Sequence, residues 1–167
     1  MNWYKYAEDI TNEELTKRIR EIIRRSPLFL QVFKSFDMPI EIVDQLKFEI
    51  KDLGDKFAEA DGESIALDKK LFEHNRFFED HFHFVAHEIN HWLKRKSEDM
   101  WYFNDEEEVQ SFVLAIAWEL SQGRGLEDIR EKIFTIIKTH FKDSRGAEEA
   151  FENMISKARE LVSGLTR

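Results

Sequence analysis

Leu15, Ile19, Ile22 and Ile23 recur at the spacing of one helical face, with Lys, Arg and Glu filling the positions between them. Thr11-Asn12-Glu13-Glu14 just ahead fits a capping box, so the pattern predicts a helix over residues 12–25. Ser26-Pro27 ends it, and a second helix with Pro27 in its first turn is expected through Phe36. Asp37-Met38-Pro39 breaks the pattern again, and residues 40–46 read as a short helix. The period then changes. Lys47 to Leu53 alternates as a strand does, and residues 56–60 and 63–68 flank Asp61-Gly62, a two-residue hairpin signal. These segments predict a small antiparallel sheet with Ile65 and Leu67 on one face.

Helical spacing returns near Asn75. Phe82, Phe84, Val85, Ala86, Ile89, Trp92 and Leu93 predict a helix buried around much of its circumference. The run from Asn104 to Leu120 has an acidic start and an apolar continuation. Beyond Gly123-Arg124-Gly125, Ile129, Ile133, Ile136 and Ile137 mark a helix to about Phe141, and Phe151, Met154, Ile155, Ala158, Leu161 and Val162 mark the last. The order of elements reads as an α+β fold in a single domain over residues 1–167. Residues 1–38 form N-terminal helices, residues 39–120 the sheet and the chemistry-bearing helices, and residues 121–167 C-terminal helices that complete the core, bind a partner or shield a cleft.

The most specific chemistry lies in His87-Glu88-Ile89-Asn90-His91. On a helix, residues i and i+4 project from one face one turn apart, so both imidazoles can hold a single Zn²⁺ while Glu88 serves as general base for metal-activated water. A catalytic zinc site needs a third protein ligand. Acids at a helix start are ordinarily explained by the macrodipole. If Phe112 marks the centre of the buried face, however, Glu108 lies one turn before it on the same side, whereas Glu107 points roughly away. Glu108 is thus the expected third ligand, with Glu107 as the fallback.

This arrangement resembles the gluzincin metallopeptidases. Glu108-Val109-Gln110-Ser111-Phe112-Val113 is similar to the Glu-Ala-Asn-x-Phe-Ala pattern of their ImmA/IrrE-like branch, with Val109 and Gln110 where Ala and Asn are usual and no Pro after the glutamate helix. The likeness covers roughly residues 39–120. It implies a zincin-like fold, His87, His91 and Glu108 as zinc ligands, Glu88 as general base, and hydrolysis of peptide bonds with restricted cleavage of a regulatory protein such as a repressor. It also implies that a sheet strand beside the cleft pairs with the extended substrate, for which Ser64 to Asp68 is the candidate, the alternative being a hairpin that only covers the core. Ser97 stands where a metzincin carries a third histidine.

Composition narrows the alternatives. Lys+Arg 25 against Asp+Glu 34 gives a formal charge of −9, which disfavours general nucleic-acid binding and favours a basic protein partner. The absence of cysteine excludes disulfides, thiolate metal ligands and thiol nucleophiles. No stretch approaches a membrane span and none has the form of a leader peptide, so a cytoplasmic location is expected. His83, one turn before His87, reads as a partly buried histidine with a hydrogen-bond partner, or as a group that shapes the site or offers an extra ligand; His81 reads as solvated, and His74 and His140 as structural or exposed. Tyr102 and Tyr4 are candidate oxyanion donors. Two other functions use the same letters: a zinc-stabilised binding module without catalysis, and a ferritin-like di-metal protein, which would need two Glu-x-x-His elements on separate helices.

Overall fold

The computed structural model describes residues 10–74, 76–98, 105–141 and 143–166. The first helix, α1 (Asn12–Arg25), starts where Thr11 Oγ1 accepts the Glu14 N–H at 3.1 Å, and its Leu15, Ile19 and Ile23 are fully buried. Ser26 then ends α1 and caps α2 (Pro27–Ser35), whose Leu28, Phe29, Val32 and Phe33 enter the same core. A 3₁₀ turn (Ile40–Gln45) leads into β1 (Lys47–Lys51). Thr16 ties α1 to that strand: its hydroxyl accepts the Phe48 N–H at 2.9 Å and lies 3.1 Å from the Phe48 carbonyl.

The sheet is mixed, which corrects the antiparallel expectation. Strands β2 (Ala58–Asp61) and β3 (Ser64–Asp68) form an antiparallel hairpin, and β3 lies in the centre, parallel to β1, in the order β1-β3-β2. The physical reason is burial on both faces: Ile65, Ala66, Leu67 and Asp68 are all inside, which suits a central strand and excludes an edge. The turn residues are Gly62 and Glu63, with Asp61 paired to Ser64 and Gly62 at φ 60°, the left-handed backbone that the first position of a type II′ turn requires. Asp68 secures the strand end, its carboxylate accepting the N–H groups of Leu53 at 2.7 Å and Lys70 at 2.8 Å.

A π turn (Phe77–His81) leads into α3 (Phe82–Glu98), which packs against both β2 and the next helix, α4 (Asp105–Ser121). Helix α4 is buried around most of its circumference because α3 covers one side and α6 (Ser144–Ser163) another. Between them, residues 126–138 form α5, two α-helical turns separated by a π turn at Arg130–Phe134. Trp118 joins the layers, its ring 5.5 Å from Phe29 and 4.6 Å from Phe82. No described helix is long and apolar enough to cross a membrane.

Candidate metal centre

Helix α3 presents His87 and His91 to α4 one turn apart, and their Nε2 atoms stand 3.3 Å from each other. Glu108 reaches both from α4, with Oε1 2.8 Å from His87 Nε2 and Oε2 3.2 Å from His91 Nε2. These separations suit one small ion, since donors about 2.05 Å from a tetrahedral zinc lie about 3.3 Å from one another. Among the described residues, this is the only group of three or more His, Asp or Glu side chains close enough to hold a metal.

Glu107 is also directed inward, contrary to the helical-face expectation. It is buried, and its Oε2 lies 2.6 Å from His91 Nδ1. If His91 donates Nδ1–H to Glu107, its Nε2 lone pair faces the cluster, the arrangement in which an outer carboxylate orients a ligating imidazole. A further bond braces the helices: Asn90 Nδ2 donates to Ser111 Oγ at 3.0 Å, and Ser111 in turn donates to the Glu107 carbonyl at 2.9 Å.

The electrostatics follow from this crowding. For Glu108, burial alone would raise the pKa, but the bonds and charges of His87 and His91 hold it well below the usual carboxylate range. Burial alone would lower the His91 pKa, yet its hydrogen bonds to Glu108 and Glu107 and the charge of Glu88 raise it. At Glu88, burial is the largest effect and pushes the carboxyl up, against the opposing pull of His87 and His91.

All four residues line one cleft of about 470 Å³. Lys56 to Ala60 form one side of it, so the strand beside the cleft is β2 and not Ser64 to Asp68. The outer edge of β2 pairs with no strand among the described residues. Arg95 fastens the strand to α3, Nη1 donating to the Ala60 carbonyl at 2.8 Å. Phe57 forms a lip, stacked on Phe84 with ring centroids 4.9 Å apart.

Ile133, Ile136 and His140 reach the cleft from the C-terminal third, so that region builds a cleft wall as well as core. His140 therefore stands at the site, its ring 5.6 Å from Phe112, which itself lies 4.5 Å from His87. Nothing local in the sequence marks this, because the contact depends on how the helices return. His83 is buried, with Nδ1 3.2 Å from Glu119 Oε1. His81 is partly buried rather than solvated, and His74 is exposed. Tyr4 and Tyr102 lie outside the described residues. No protein-family model, no curated protein and no solved structure matches the chain.

Proposed function

We propose that the chain is a zinc-dependent metallopeptidase with a zincin-like fold, similar to the gluzincins and their ImmA/IrrE-like branch. The observation that carries this reading is the convergence of His87, His91 and Glu108 beside the carboxyl of Glu88 in a cleft bordered by a sheet edge. The two imidazole nitrogens and one carboxylate oxygen would hold the ion and leave a fourth position open. When bound, zinc lowers the pKa of its water towards ~7 and polarises a substrate carbonyl.

Glu88 accepts a proton from the attacking water and returns it to the leaving amine nitrogen. Glu107 keeps His91 in the required tautomer. The outer edge of β2, unpaired by any described strand but with its Ala60 carbonyl held by Arg95, would bind an extended peptide by strand addition at its remaining groups and carry the scissile bond along the cleft. An acidic protein of this kind suits restricted cleavage of a basic cytoplasmic target such as a repressor-like protein better than bulk digestion.

The test is Glu88→Gln. This variant keeps the residue's size but cannot take a proton, so zinc content and thermal stability should match the parent while cleavage of unfolded casein and of basic repressor-like domains falls ~10²–10⁴-fold. Equal cleavage by parent and variant contradicts the mechanism. A zinc-loaded parent that cuts nothing in such a panel favours the non-catalytic binding module.

A further inference from the structure

One buried polar group of the cleft lining takes no part in the chemistry above. His83 is 3% exposed and forms part of the cleft lining together with Phe84, Phe112, Ala115, Ile133 and Ile136. Its Nδ1 is engaged by Glu119, but its Nε2 is buried and has no hydrogen-bond partner among the described residues. An unpaired buried nitrogen is costly, and phenylalanine would fill the same space without that cost.

The surroundings fix what the free nitrogen offers. Glu119 is flanked by Arg124 Nε at 3.4 Å and Lys132 Nζ at 3.6 Å. Both cations also donate to the Glu79 carbonyl, at 2.6 Å from Arg124 Nη2 and 3.3 Å from Lys132 Nζ, which anchors them. Burial lowers the His83 pKa, and Lys132 adds to the effect against the opposing pull of Glu119. Burial thus favours the neutral imidazole. With its Nδ1–H given to Glu119, its Nε2 is an acceptor, closed off from solvent, on a residue that lines an otherwise apolar part of the cleft.

We propose that His83 is a specificity residue: the apolar part of the cleft takes a tyrosine or tryptophan side chain of the substrate, whose entry shifts the wall enough to uncover His83 Nε2, to which its O–H or indole N–H donates. Aromatic bulk matches the apolar wall, which a serine or asparagine would leave unfilled. A lysine or arginine would bring a third cation towards Arg124 and Lys132. A phenylalanine would fill the wall and leave Nε2 unpaired, and sites built around a substrate hydroxyl discriminate strongly against its absence. The proposal deepens the peptidase reading and rests on it.

The experiment uses the full chain with one equivalent of zinc, labelled with ¹⁵N-histidine, and two probes, acetyl-Ala-Tyr-Ala-amide and acetyl-Ala-Phe-Ala-amide. The tyrosine peptide should bind at least about tenfold more tightly and should shift the His83 Nε2 resonance, whereas the phenylalanine peptide should not shift it. His83→Phe should lose the preference while keeping zinc, and His83→Gln, which retains a hydrogen-bonding group, separates loss of the acceptor from loss of fold. Equal affinity for the two peptides, binding of neither, or preference without movement of the His83 resonance overturns the proposal. Because binding is read directly, failure of Glu88-dependent cleavage remains a separate result, one that removes the peptidase reading and leaves the peptide preference as a measured fact.

Discussion

His83 and His91 sit two turns apart on α3, and each sets its Nδ1 against a buried carboxylate of α4, Glu119 at 3.2 Å and Glu107 at 2.6 Å. The two pairs are built alike up to that point. Beyond it, His91 Nε2 meets His87 and Glu108, amid acids that raise its pKa despite burial. His83 Nε2 meets no described partner, and burial, with Lys132 adding to it, lowers its pKa. A carboxylate–histidine pair thus has no function of its own. What lies beyond it, acids at His91 and apolar burial with a nearby cation at His83, decides whether the imidazole suits a cation or a neutral donor.

The largest effect expected from breaking this comparison is at the acids on either side of His91. Glu107→Gln removes the carboxylate that orients His91 and should weaken zinc binding by the ~10–100-fold typical of an outer partner. Glu108→Gln removes a direct ligand and should exceed that range clearly. Competition titrations against a chromophoric chelator measure both, and a larger loss in Glu107→Gln would exchange the two roles.

A smaller effect, opposite in sign at the two histidines, should appear in the stability of the metal-free protein. The folded-state pKa of His83 lies below its unfolded value of about 6.5, so the unfolded chain binds more protons. Its contribution is complete above that pH and declines as pH falls through and below it. The folded-state pKa of His91 is raised, so its contribution is complete below about 6.5 and declines as pH rises through the folded value. Each change is bounded by about 1.4 kcal/mol per pH unit. Urea denaturation of His83→Phe and His91→Phe across pH 5 to 8 should therefore change the parent's slope in opposite directions. Changes of the same sign would show that the two environments do not differ in charge as described.

Local patterns account for much of the molecule. The capping residues Thr11 and Ser26 and the break at Gly123 delimit helices from neighbouring letters alone, and i, i+4 spacing is enough to bring His87 to His91. Strand neighbours are less legible, because alternation encodes faces and not partners. The apolar run Ile65-Ala66-Leu67 still carried a usable signal, since a strand apolar on both faces belongs in the middle of a sheet. Glu107 reaches His91 on α3 just as Glu108 does, because two successive helix positions about 100° apart can straddle one neighbouring helix, which a reading by opposite faces does not allow for. Glu119 is 36 positions from His83, and His140 reaches the cleft from beyond α5, so neither contact leaves a local trace.

The claim on which the rest depends is that His87, His91 and Glu108 form one metal centre, and calorimetric titration of the metal-free chain with Zn²⁺ near neutral pH tests it most directly. The titration should end at one ion per chain, and His87→Ala and His91→Ala should abolish uptake while retaining the helical circular dichroism of the parent. Two ions per chain, or full uptake by His91→Ala, would contradict it.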